Sequence, residues 1–253
     1  MANQILIALL LASLAGLSTT VGSLIAFFLK QPTAKMLSLG LGFSAGVMIS
    51  VSFLELLPSA LDSVGQINAY IAFFIGMIIF YGIDTLVPHE FVGEESIGQS
   101  KTNPELLRTG KLTALGVAIH NFPEGLFTFV GTLVSIKIGI LLAIAVSMHN
   151  IPEGISVSFP IYWATGDRLE ALKLSFLSGL AEPLGALIGG VILLQFLNET
   201  VLGLTIALVA GIMIFLSFDE LLPVAHKHGE SHAASIGVIS GMIIMVITLI
   251  LLT

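Results

Sequence analysis

Apolar runs recur along this chain, separated by short polar breaks. Eight are long enough to cross a bilayer, which takes about 20 mainly apolar residues per helix. They fall at about 4–29, 36–57, 67–87, 112–134, 136–160, 170–196, 200–222 and 234–252. The pattern predicts an all-α polytopic membrane protein, one integral membrane domain over 1–253. The first run lacks a basic flank and a small-residue cleavage site, and is too apolar and long for a cleaved signal peptide. The one sizeable connection, about 88–111, holds Glu90, Glu94, Glu95, Gly98 and Pro104 and reads as a polar loop.

Composition sharpens this. The chain is 56% hydrophobic and 10% charged, where soluble domains carry about 25% charged residues, and its mean hydropathy is +1.05. A net charge of −7 argues against a nucleic-acid partner. The absence of cysteine removes disulfides, iron–sulfur clusters and thiolate metal sites, and argues against a soft Cu(I) site. Lys30, Lys35, Lys101, Arg108, Lys111, Arg168, Lys173 and Lys227 fall on one side of the eight spans, and Lys137 alone on the other. The richer side is therefore expected in the cytoplasm, with both termini on the opposite face of the cell membrane.

The spans also repeat. Ser52-Phe-Leu-Glu55-Leu-Leu-Pro58 returns 165 residues later as Ser217-Phe-Asp-Glu220-Leu-Leu-Pro223, and Gly76-Met-Ile-Ile79 returns as Gly241-Met-Ile-Ile244 at the same offset. Gly16 and Gly22 match Gly179 and Gly185 at an offset of 163. Spans 4 and 5 match each other at 29. Paired spans lie an odd number apart, so they cross in opposite senses. This predicts a 3+2+3 inverted repeat, an architecture of secondary transporters whose sites lie near the membrane midplane.

The strongest chemical signal is written twice: His120-Asn121-Phe122-Pro123-Glu124-Gly125 and His149-Asn150-Ile151-Pro152-Glu153-Gly154. Polar groups at mid-membrane are costly and mark ion pathways. Residues three and four apart share a helix face, so each histidine, asparagine and glutamate point together. Each proline denies its helix one N–H donor, which predicts a locally opened turn with free carbonyls. Span 6 adds Glu182 beside Pro183. Imidazole, amide and carboxylate together suit borderline divalent ions: Zn²⁺, Fe²⁺, Mn²⁺, Co²⁺ and Cd²⁺. The donors exceed one tetrahedral site, which suggests two ions bridged by Glu124 and Glu153.

The paired H-N-x-P-E-G motifs, with the Glu-Pro of span 6, resemble the ZIP (Zrt/Irt-like) metal-transporter family, and its bacterial branch in particular. The resemblance covers nearly the whole chain. It implies a binuclear centre of His120, Asn121, Glu124, His149, Asn150, Glu153 and Glu182. One ion would sit on Glu124, His149 and Glu153 with His120 close by, and the other on Asn121, Glu124, Asn150, Glu153 and Glu182. It further implies metal uptake toward the cytoplasm, homodimers, and an elevator-like motion of spans 1, 4, 5 and 6 against 2, 3, 7 and 8. No cofactor is expected; the bound metals are cargo, and the partners are those ions and the lipid bilayer.

Other polar residues are candidates for the pathway. Glu55 and Glu220 precede Pro58 and Pro223 near opposite faces, with Asp219 beside Glu220. Asp84 and His89 end span 3, and His226, His228 and His232 form a short histidine-bearing loop. Each is also readable as an interfacial or solvated group, and Met48 as packing. An exporter or antiporter is the alternative carrier reading. An intramembrane metalloenzyme is the third, but the sequence holds no H-E-x-x-H.

Overall fold

A computed structural model describes residues 2–28, 34–85, 104–196, 198–227 and 231–252. Among these residues there is no strand. The elements are α1 (Ala2–Phe28), α2 (Ala34–Val51), a π-turn π1 (Ser52–Leu56), α3 (Leu57–Val64), α4 (Gln66–Asp84), α5 (Pro104–Val134) and α6 (Ile136–Thr165). They continue as α7 (Arg168–Gly179), α8 (Ala181–Leu194), α9 (Glu199–Leu216), a second π-turn π2 (Ser217–Leu221), α10 (Leu222–Lys227) and α11 (Ser231–Leu252). The eight expected spans are all present, with α2–π1–α3, α7–α8 and α9–π2–α10 each making one crossing.

Seven of the eight are long and apolar enough to cross a membrane by length and composition. The exception is α5, whose middle holds His120, Asn121, Pro123 and Glu124. Its 31 residues reach about 46 Å, ample for a crossing, and it packs against α1, α6 and α8. This is a polytopic all-α membrane protein.

Three boundaries depart from expectation. The loop expected over 88–111 is helical from Pro104 onward; residues 86–103 lie outside the described set. The second span continues through Val64, because Leu57 and Ala60 stay buried, and it stops at Gly65 with φ 77°. The turns expected to open at Pro123 and Pro152 do not: α5 and α6 remain α-helical through both prolines. Close neighbours hold them there. A Cβ on Gly125 would overlap the Glu182 carbonyl, and one on Gly154 the Thr19 carbonyl. The wide turns lie at π1 and π2 instead, where Leu57 N–H donates to Ser52 O and Leu222 N–H to Ser217 O. Pro58 and Pro223 follow directly and cannot donate to the carbonyls four residues back, which frees the preceding turns to widen.

The sequence offsets recur in the packing. Gly16 and Gly179 each face the other's carbonyl. Gly154 against Thr19 O is matched by Gly125 against Glu182 O, and Gly22 against Ile151 O by Gly185 against Phe122 O. Gly76 against Leu208 O is matched by Gly241 against Phe43 O, and Gly211 against Phe73 O by Gly46 against Val238 O. These seams tie α1, α5, α6 and α7–α8 together, and separately tie α2 to α11 and α4 to α9. Among the described glycines, no such carbonyl seam joins the two groups. Most of the buried apolar residues form one cluster running from Ala15 to Leu249 across both groups.

Candidate metal centre

The two motifs and Glu182 meet in the interior. Asn121, Glu124, His149, Asn150 and Glu182 are 0% exposed and Glu153 is 1% exposed. The backbone of His120 lies in α5; its side chain is outside the described set. Glu182 sits in the first turn of α8, directly after the break at Leu180. A helix N-terminus favours negative charge there.

Hydrogen bonds fix the donors. His149 Nε2 lies 3.0 Å from Glu124 Oε1. Asn121 Nδ2 donates to Ser178 O at 3.2 Å, and Asn150 Nδ2 to Ala15 O at 3.1 Å, a pair of bonds related by the same offsets of 29 and 163. Asn150 Nδ2 also donates to Glu182 Oε1. Ser44 Oγ donates to His149 O at 3.1 Å, so α2 braces the second motif. Glu124 and Glu153 both lie close enough for their charges to act on Glu182.

The arrangement has more acceptors than donors. Among the described residues, the buried oxygens Asn121 Oδ1, Glu124 Oε2, Asn150 Oδ1 and Glu182 Oε2 accept no hydrogen bond. Unsatisfied buried acceptors are costly. A divalent cation can satisfy several at once, and mixed oxygen–imidazole sets suit Zn²⁺ and its neighbours. No three described His, Asp or Glu side chains already form a metal-holding group.

The expected pathway residues lie apart from this cluster. Glu55 belongs to π1 and is half-buried; Glu220, half-buried, and Asp219, exposed, belong to π2. Glu55 is eleven residues beyond Ser44, about 16 Å along the helix. Asp84 is buried at the end of α4. His226 is exposed and its Nδ1 donates to Leu222 O at 2.8 Å, closing its own helical turn. His232 is exposed in the first turn of α11. His89 and His228 lie outside the described residues. Sequence reasoning passed over Ser44 and the carbonyls of Ala15 and Ser178. The last two were marked only by their places beside the glycines of the 163-residue repeat.

A profile described as ZIP Zinc transporter matches residues 4–111 and 106–249. The chain belongs to the ZIP family. Similar proteins bear the name zinc transporter ZupT. One from Oceanobacillus iheyensis is 52% identical over 266 residues, covering 99% of each chain. One from Clostridium perfringens is 46% identical, covering 98% of this chain and 97% of its own. A third, from Streptococcus mutans, is 48% identical over 99% of each. ZIP proteins are transporters rather than enzymes.

Proposed function

We propose that this protein carries Zn²⁺, and with it Fe²⁺, Mn²⁺, Co²⁺ and Cd²⁺, across the cell membrane into the cytoplasm through a binuclear midplane site. The surplus of buried acceptor oxygens on α5, α6 and α8 is the observation that carries this reading. The relatives named as zinc transporters support the choice of metal. Glu124 and Glu153 bridge two ions; His149, with His120, completes one, and Asn121, Asn150 and Glu182 the other. Ions enter past Glu55 and leave past Asp84, His89 and the Asp219–Glu220 end, and the histidines 226, 228 and 232 gather metal at the loop. Both termini face away from the cytoplasm, and the chain works as one membrane domain in homodimers. The paired glycine seams support an inverted repeat whose two groups of helices move against each other as blocks.

Zn²⁺ flux into sealed vesicles of known sidedness tests this. Glu153→Ala should abolish flux, because a bridging ligand disappears. Normal flux by folded Glu153→Ala protein would remove that residue from the site. His149→Ala should shift preference from Zn²⁺ toward Mn²⁺, since imidazole favours zinc; an unchanged Zn²⁺/Mn²⁺ ratio would count against its role. Net movement out of the cytoplasmic side would favour an exporter.

A further inference from the structure

At one end of the bundle a base acts on a carboxylate that the central site does not use, and the repeat offsets map both residues to the other end. Ser44 Oγ meets His149 O, and Gly40 lies beside Pro152, so α2 and α6 run antiparallel in fixed register. Eleven residues along from Ser44 is Glu55; eleven back from His149 is Ile138, next to Lys137. Lys137 is exposed, and its charge acts on half-buried Glu55.

The offsets carry this pair to the other end. Lys137 maps onto Arg108 at 29, and Glu55 onto Glu220 at 165. The match persists between motif and mouth: Arg108-x-Gly110-x-Leu112-x-Ala114-x-x-Val117 returns as Lys137-x-Gly139-x-Leu141-x-Ala143-x-x-Val146. It persists in space too. A Cβ on Gly110 would meet Ile161, and one on Gly139 would meet Thr132, positions that are again 29 apart. As α6 packs on α2, so α5 packs on α9. Neither Arg108 nor Glu220 stands without a partner.

We propose that Lys137 and Arg108 are the two mouth cations of the translocation path, each bonded to a rim carboxylate, Glu55 or Glu220, that it yields to an arriving divalent ion. The inference rests on the transport reading above. A bare rim carboxylate would collect any cation; one already neutralised by a base is yielded more readily to a doubly charged ion than to a singly charged one. Exposed pairs are weak, so the barrier is shallow, and rim charges act mainly on association rate and salt dependence. The mouths differ. Asp219 stands where the first repeat has the exposed Leu54. The Glu220 mouth thus has one carboxylate more than the Glu55 mouth.

Two measurements decide this. The chain has no native cysteine, so Glu55→Cys/Lys137→Cys and Arg108→Cys/Glu220→Cys pairs can be joined by a short bifunctional thiol reagent. Both should crosslink, while Lys137→Cys/Glu220→Cys, at opposite ends, should not. In vesicle flux, Lys137→Met should lower the apparent KM for Zn²⁺ about two- to fivefold, with Vmax within twofold and the gap closing at high salt. Lys137→Arg should keep the wild-type KM. Failure of the Arg108/Glu220 pair to crosslink above the control would overturn the pairing. An unchanged KM in Lys137→Met would overturn the role. If the wild type carries no metal, the transport reading fails while the crosslinks still decide the pairing.

Discussion

The two motif asparagines are related by the repeat but are not equivalent, and removing each in turn measures the difference. Asn121 Nδ2 donates to one neutral acceptor, Ser178 O. Asn150 Nδ2 donates to Ala15 O and also to Glu182. Both residues are 0% exposed, so Asn→Ala opens a cavity of similar size at either position, and that cost largely cancels in the comparison. Each loses one side chain–main chain bond, worth about 0.6 kcal/mol in a membrane protein. Only Asn150→Ala loses a bond to a carboxylate, worth about 1.5–3 kcal/mol when the carboxylate is ionised. It also leaves a second oxygen of Glu182 stranded beside Oε2, which already accepts nothing. Asn150→Ala should therefore be less stable than Asn121→Ala by roughly 0.5–3 kcal/mol, the low end for a neutral Glu182 carboxyl and the high end for an ionised one. At about 2–4 °C per kcal/mol, that separates their Tm values by roughly 1–12 °C. Thermal unfolding of both purified variants in detergent, with chelator present to remove bound metal, reads this directly. Equal midpoints, or a larger loss for Asn121→Ala, would refute the assignment of a hydrogen bond from Asn150 to the Glu182 carboxyl.

Two further outcomes use the same thermal assay. Gly125→Ala and Gly154→Ala should lower Tm sharply or abolish folded yield, because each Cβ would strike a backbone carbonyl, whereas Gly116→Ala, which meets open space, should be neutral or stabilising by about 0.5–1 kcal/mol. Asp167 follows Gly166, whose φ of 72° ends α6, and its Oδ1 accepts from Leu169 N and Glu170 N at 2.8 and 3.2 Å. Asp167→Ala should cost about 0.5–2 kcal/mol and leave metal flux intact; a large loss of flux at unchanged stability would show that the cap does more than end a helix.

The spans were legible because burying a crossing helix demands a long apolar run, and all eight appear within a few residues of the predicted limits except at amphipathic or polar ends. The start of α5 was hidden because Glu105, Arg108 and Lys111 make its first turns read as loop. The grouping of site residues was legible from spacing and repetition, and the structure brings all six described members into one buried cluster. What was not legible is how each donor is held. A periodicity argument places Asn150 and Glu153 on a face, but only the folded arrangement shows the Asn150 amide donating to Ala15 O and Glu182. The prolines misled for a related reason. A missing N–H predicts a loosened turn, and the site of loosening depends on neighbours: glycine seams clamp α5 and α6, while π1 and π2 begin with buried serines at turns no comparable seam restrains.

The repeat explains the scaffold, and its exceptions carry the chemistry. Glycine seams, π-turns and motif asparagines come in matched pairs, so each half of the bundle offers the same geometry in mirrored order. Glu182 has no such match: its counterpart at an offset of 163 is Thr19, a neutral side chain. The cluster is therefore three carboxylates built on a two-fold frame, with the third donor confined to the Asn150 side. On the transport reading proposed above, a symmetric frame presents its site to either face at similar cost, since each arrangement uses equivalent seams. Only unmatched groups can make the two presentations differ in free energy. Glu182 against Thr19, Asp219 against Leu54, and buried Asp84 against Leu249 are charged departures of this kind. On that transport reading, directional bias beyond that set by the gradients is to be sought in unmatched carboxylates such as these rather than in the paired residues around them.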